Sequence, residues 1–141
     1  MKNGLTLVEL LLVIALIGII GTFAVSNVGG RLDSLAVNSA AADVTSAFAV
    51  ARNAAIARAT YTTVHVDSSR QAVTVSMNGD TLVTRLVGAV HGVAIRSNRD
   101  SLAYNPIGHG FGASNQTIVI SRGNASDTVV VSRLGRVRHR P

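Results

Sequence analysis

The chain contains no cysteine, and only two of its 141 residues are proline. The absence of cysteine excludes disulfide bonds, thiolate chemistry and cysteine-ligated metal sites, and it permits an oxidising compartment without demonstrating one. Because the first proline is Pro106, no helix that begins earlier is interrupted by a proline.

Groups of residues with catalytic or metal-binding spacing are also lacking. The four histidines show neither an i, i+4 helical pairing nor a short ligand spacing: His65, His91, His109 and His139. The aspartates stand singly in predicted turns or on the polar face of a predicted helix. We therefore expect no enzyme, no metal site and no cofactor.

Positive charge exceeds negative charge, with 13 Lys and Arg against 7 Asp and Glu, for a net charge of +6. Lys2 is the only lysine, so the other cations are all arginines. Arginine suits bidentate contacts with phosphate or carboxylate. A GC-rich genome also favours arginine codons, so this preference alone does not identify a partner.

An apolar run from Leu5 to Val25 contains one acidic residue, Glu9, near its start. As a helix, a run of about 21 residues spans about 31 Å, which matches a bilayer core. A carboxylate there costs about 2.5 to 3.5 kcal/mol on insertion scales, so it needs a partner. An ordinary signal peptide, cleaved after the small-x-small triplet 24–26, and an uncleaved anchor are the alternatives, and neither needs Glu9.

The segment Gly4-Leu5-Thr6 followed by Glu9 resembles the class III prepilin signal of type IV pilins and pseudopilins. The resemblance implies that a membrane-embedded prepilin peptidase cleaves after Gly4 and methylates the new terminus at Leu5, where the family usually has Phe. It also implies that Glu9 pairs with the terminal amine of a neighbouring subunit during assembly. Gly18 and Gly21 would let helices approach closely.

The next segment, residues 28–60, has the helical period of an amphipathic helix, and Gly29-Gly30 is a candidate bend. This pattern predicts that the segment continues the first helix. Its predicted apolar face comprises Leu32, Leu35, Ala36, Ser39, Ala42, Val44, Phe48, Ala51, Ala55 and Ile56.

Residues 61–141 change to alternating β-branched residues and turns, with Asn78-Gly79 as a hairpin signal. The fold class expected is α+β, a long N-terminal helix packed on an antiparallel sheet. A glycine-rich loop is predicted over 104–115. The predicted strands are 61–67, 72–77, 81–87, 92–96, 116–121 and 128–133.

Three further segments, 51–58, 104–108 and 132–138, resemble the FimT/GspH family of minor pilins and pseudopilins. That resemblance implies a structural subunit of a type II secretion pseudopilus or a type IV pilus, with other pilins, the prepilin peptidase and the inner membrane as partners. It implies a leader (1–4), a transmembrane and filament-core helix (5–27), its amphipathic continuation (28–60) and a periplasmic β domain (61–141). The N-terminus would be cytoplasmic. Major pilins often carry a proline late in the apolar half, which this chain lacks.

The basic tail, residues 133–141, contains four arginines and no acid: Arg133, Arg136, Arg138 and Arg140. Gly135-Arg136-Val137-Arg138 fits the Gly-Arg-x-Arg pattern that the FimT branch links to DNA contact in natural transformation. In an extended segment, Arg136 and Arg138 project to the same side. Four phosphate contacts imply a log–log salt slope of about −3.6. DNA is thus an alternative partner, and the other interpretation is a solvated basic end that aids solubility or docks on an acidic neighbour.

Overall fold

The computed structural model describes residues 6–26, 28–111 and 115–140. The chain divides after Leu32 into two compact units. The described residues form three helices and nine strands: α1 Leu7–Ser26, α2 Val28–Ala57, β1 Thr62–Asp67, β2 Ala72–Met77, β3 Asp80–Arg85, α3 Val87–His91, β4 Ala94–Ser97, β5 Ser101–Tyr104, β6 Gly110–Phe111, β7 Gln116–Arg122, β8 Ala125–Val131 and β9 Val137–Arg140.

Helix α1 has 20 residues and spans about 30 Å, the thickness of a bilayer core. Its described large apolar side chains, from Leu7 to Ile20, are exposed, a pattern typical of a helix that contacts lipid or other helices. Length and composition would also allow Gly29–Ala57 of α2 to cross a membrane. One face of α2 lies in the core of the domain, however, whereas the described large apolar side chains of α1 are exposed.

The second unit has its own core, and every described residue that is buried lies at Val37 or beyond. A fragment that begins at Gly30 therefore retains the whole core and is expected to fold without α1. The buried stripe of α2 follows the helical period: Val37, Ala40, Ala41, Val44, Ala47, Phe48, Ala51 and Ala55.

The predicted apolar face of α2 was partly wrong. Leu32, Leu35 and Ile56 are about half exposed or more, and Ala42 is exposed. The helix turns its alanines to the core because small side chains let the strands approach closely. It ends at Ala57, earlier than predicted, where Ala59 adopts a φ of 47° and the N–H of Thr60 donates to the carbonyl of Ala55.

The strands form two antiparallel sheets instead of a single one. Sheet A has the order β3-β2-β1-β5-β6, and sheet B has the order β4-β7-β8-β9. In both, alternate side chains face the core, as at Val64 and Val66 in β1 and at Ile118 and Ile120 in β7. The predicted α+β class is confirmed.

Individual elements differ from the sequence prediction. The Asn78-Gly79 turn is confirmed, since both residues have positive φ. Helix α3 begins where a strand was predicted to end, and β6 lies inside the predicted loop, of which residues 112–114 are outside the described part of the chain. Strand β8 begins at Ala125, three residues before the predicted strand 128–133. Strands β5 and β9 were not predicted.

The three family-like segments of the domain meet at the carbonyl of Gly108. Nε of Arg52 donates to it over 3.0 Å. Gly135 lies so close that a Cβ there would be 2.6 Å from the Gly108 oxygen and 2.9 Å from Cε1 of Tyr104. The Tyr104 ring in turn meets Phe48 edge to face, with ring centroids 6.5 Å apart. This junction sets the turn that leads into β9.

We expect Gly135→Ala to destabilise the 30–141 fragment by more than backbone strain alone. Gly135 has a φ of 75°, which costs an L residue about 1 to 2 kcal/mol, and overpacking adds about 1 to 3 kcal/mol. Gly79→Ala is the matched control, since its φ is 91° and its Cβ would meet no described atom within 4 Å. Urea unfolding should show the larger loss for Gly135→Ala, and equal losses would contradict the close packing.

Tyr104 is fully buried, and its hydroxyl has no hydrogen-bond partner among the described residues. Burial raises the pKa of Tyr104 to about 12, from 10.0, against the opposing effect of the Arg52 charge. The folded state thus favours the neutral phenol, and this contribution to stability is present below pH 10 and is lost as the pH rises through about 12.

A Tyr61→Phe fragment, whose one remaining tyrosine is Tyr104, should therefore develop its tyrosinate absorbance near pH 12. Adding Tyr104→Phe should remove both that absorbance and the associated fall in unfolding free energy. Ionisation of the folded fragment at pH 10 would show that water reaches the ring.

Candidate functional site

Residues Val137–Arg140 of the basic tail form β9, an edge strand of sheet B. Arg138 lies opposite Val130 and Arg140 lies opposite Thr128 on β8. The neighbouring residues Val129 and Val131 are fully buried, so Val130 and Thr128 point away from the core. Directly paired residues share a face of the sheet, and Arg138 and Arg140 therefore project from the outer face of sheet B.

His139 faces the other way and holds the strand on the domain. Its Nε2 lies 2.8 Å from Oγ1 of Thr45 on α2, and its Nδ1 lies 3.3 Å from Oδ2 of Asp127. Asp127 is only 4% exposed, and its Oδ1 accepts the N–H of Thr128. These contacts tie β9 to α2 and β8, which fixes the direction of the arginines.

Arg136 precedes β9 and continues its pairing. Its carbonyl accepts the N–H of Ser132 over 2.8 Å, and its own N–H donates to Oγ of Ser132. Arg136 and Arg138 line one shallow depression together with Val130 and Ser132. Arg136 also borders a second depression over α2. The predicted common side of Arg136 and Arg138 agrees with this geometry.

Arg133 lies apart from the other three arginines of the tail. It belongs to the turn before Gly135, and its carbonyl accepts the N–H of Gly110. Its side chain lines a separate depression with His109 and Phe111. The structure thus brings Arg136, Arg138 and Arg140 together and leaves Arg133 at the end of the domain.

The guanidinium groups of Arg136, Arg138 and Arg140 have no hydrogen-bond or ion-pair partner among the described residues. Arg122 shows the contrast: its Nε lies 2.9 Å from Oδ1 of Asp33, and its Nη1 donates to the carbonyl of His91. The charge of the outer face is therefore available to a ligand.

Thr45, His139 and Asp127 lie in the order of a nucleophile, a base and an acid. Thr45 is in the interior of α2, however, where backbone N–H groups are committed to helix hydrogen bonds. No oxyanion-binding pair of donors therefore faces its hydroxyl in the described part of the chain. We interpret these contacts as structural. The described residues also contain no group of three or more acidic or histidine side chains that could hold a metal ion.

Glu9 takes part in a capping box at the start of α1. Its Oε2 accepts both the N–H and the hydroxyl of Thr6 over 3.2 Å, and its own N–H donates to Oγ1 of Thr6 over 3.3 Å. This local role of Glu9 was not predicted, although Thr-x-x-Glu before an apolar run is its signature.

The structure gives few contacts for the other residues predicted to act in processing and helix packing. Gly4 and Leu5 lie outside the described residues. Added Cβ atoms at Gly18 and Gly21 would meet no described atom within 4 Å, so both positions are open on the surface of α1.

Comparison with known proteins agrees with this architecture. FimU, a type IV minor pilin of Pseudomonas aeruginosa, matches with a TM-score of 0.63 and 14% identity over 74% of this chain and 88% of that chain. EpsH, a minor pseudopilin of the type 2 secretion system of Vibrio cholerae, matches with a TM-score of 0.60 and 13% identity over 73% and 94%. No curated protein sequence matches. The model of the family described as type II transport protein GspH matches residues 40–135, more than half of the chain. The chain therefore belongs to the GspH family.

Proposed function

We propose that this protein is a structural subunit of a filament assembled at the inner membrane, either a type II secretion pseudopilus or a type IV pilus. The observation that carries the proposal is α1, an apolar helix with exposed side chains on all sides that precedes a domain with the minor-pilin fold. Such a helix can be stored in a bilayer before assembly and packed among other helices afterwards.

In this proposal the prepilin peptidase removes residues 1–4 and methylates Leu5. The N-terminus is cytoplasmic, α1 crosses the membrane once and the β domain is periplasmic. Other pilins or pseudopilins are the partners, and the open surface at Gly18 and Gly21 supports close approach of their helices.

Glu9 would then have two successive partners. In the separate subunit its carboxylate caps α1 through Thr6. In the filament it pairs with the terminal amine of a neighbouring subunit, since a buried carboxylate is stabilised by an opposite charge and penalised without one. The local cap requires an oxygen that accepts hydrogen bonds, whereas the assembly contact requires a negative charge. A substitution that keeps one property and removes the other can therefore separate the two roles of Glu9.

We expect Glu9→Gln to abolish incorporation into filaments, because glutamine can still accept the capping hydrogen bonds but carries no charge. Thr6→Ala, which removes the hydroxyl and keeps the charge, should assemble at near-normal levels. The measurement is the amount of this subunit in sheared filaments relative to the membrane fraction.

Two controls accompany that measurement. Mass spectrometry should find methylated Leu5 at the N-terminus of both variants, which shows that lost assembly does not reflect lost processing. Membrane amounts should match those of the natural chain. Normal incorporation of Glu9→Gln would contradict the charge-pairing role.

A second candidate function is favoured by the outer face of sheet B. Three arginines without a side-chain partner in the described part of the chain project from β9 and the segment just before it: Arg136, Arg138 and Arg140. Guanidinium groups that project from an ordered backbone in this way suit the phosphates of DNA. This supports a role as a DNA-binding minor pilin in natural transformation.

The Arg136→Ala/Arg138→Ala variant of the 30–141 fragment should bind duplex DNA more weakly, with a log–log salt slope shallower by about 1.8, because two phosphate contacts are lost. The control is Arg70→Ala/Arg99→Ala, which removes the same charge from exposed turns outside the strands of sheet B. Fluorescence anisotropy from 50 mM salt upward measures both. An equal effect of the two variants would indicate unspecific attraction, and no binding by the natural fragment would favour the secretion pseudopilin.

A further inference from the structure

One more arginine lies on the outer face of sheet B, at the edge opposite the tail. Arg96 is exposed in β4, and its neighbour Ile95 is fully buried. Arg96 lies opposite Val119, Val119 opposite Thr128, and Thr128 opposite Arg140. Arg96 and Arg140 therefore end a single row of side chains that crosses all four strands.

The surface between these edges is lined by small side chains and has no acid. The outward positions of β7 and β8 include Thr117, Val119, Thr128 and Val130, of which the threonines can donate hydrogen bonds to phosphate. The one acidic residue in the strands of sheet B is Asp127, which points inward to His139. Nothing among the described residues of this face repels a polyanion.

The spacing of the two edges suits a duplex. Strands lie about 4.8 Å apart, so β4 and β9 are about 14 Å apart, comparable with the width of about 12 Å of the major groove. A duplex presents phosphates on both sides of a groove, whereas a single strand offers one line of phosphates to one edge at a time.

We propose that the outer face of sheet B is one duplex-DNA surface in which Arg96 binds the phosphates of one backbone while Arg138 and Arg140 bind those of the other. The proposal rests on the DNA-binding candidate function and adds to it a residue outside the tail and a preference for double-stranded DNA. With Arg136, the face offers four phosphate contacts, which gives a salt slope of about −3.6 on a duplex.

Arg96→Ala in the 30–141 fragment tests this, with Arg99→Ala as the matched control. Arg99 is an exposed arginine three positions further along the chain, in the turn after β4. Arg96→Ala should weaken duplex binding and make the slope shallower by about 0.9, while Arg99→Ala should leave both unchanged. On a single strand of the same sequence, Arg96→Ala should have a clearly smaller effect. Unchanged melting temperatures exclude misfolding, since both side chains are exposed.

The possible results distinguish the two-edge duplex surface from DNA binding as such. A normal slope for Arg96→Ala together with a reduced slope for Arg136→Ala/Arg138→Ala overturns the two-edge surface and leaves a DNA-binding tail. Equal losses on duplex and single strand overturn the two-backbone geometry. Failure of the natural fragment to bind duplex DNA at 50 mM salt overturns both proposals.

Discussion

The contact of Gly135 with the Gly108 carbonyl and the Tyr104 ring is the constraint on which the C-terminal half depends. The approach leaves no space for a side chain, and the backbone there has a left-handed φ. Arg52 of α2 donates to the same carbonyl, so helix, loop and turn meet at one point. The chain leaves this point in a fixed direction and can pair only with the free side of β8.

Because the direction of the strand is fixed, the alternation of side chains decides what each residue of β9 faces. A strand sends successive side chains to opposite faces, so His139 reaches Thr45 and Asp127 while Arg138 and Arg140 reach solvent. The contacts of His139 order the strand that carries Arg138 and Arg140. A basic tail that was not paired with a strand would lose more conformational entropy on binding a ligand. Its backbone and each long side chain would both have to be ordered in that step.

Local patterns in the sequence predicted a good part of this structure. The Asn78-Gly79 hairpin, the helix of the 28–60 segment and the strands β1 and β2 follow from turn chemistry and periodicity. The buried stripe of α2 was partly missed because alanine contrasts weakly with its neighbours. Strand β9 was missed as a strand because three of its four residues are charged or titratable, which is unusual outside a sheet edge.

The candidate site required information that is not local. Arg136 and Arg138 were predicted from the charge of the tail, from their spacing and from the Gly-Arg-x-Arg resemblance, whereas Arg96 joins them only through the registers of three strand pairs. Separating Arg133 from the group required the turn at Gly135 to be known. The capping box of Glu9 follows from the Thr-x-x-Glu pattern in the sequence. The prediction instead explained Glu9 by its need for a partner in the membrane, and it assigned that partner to another subunit.

Strand β9 also ends sheet B, so one side of its backbone carries N–H and C=O groups that no strand of the described domain pairs. Such an edge is a template for another chain, and proteins protect it with charge. The arginines on β9 therefore act on protein association as well: two β9 strands brought edge to edge would place like charges side by side. This repulsion opposes the joining of two copies of the domain through this edge of sheet B.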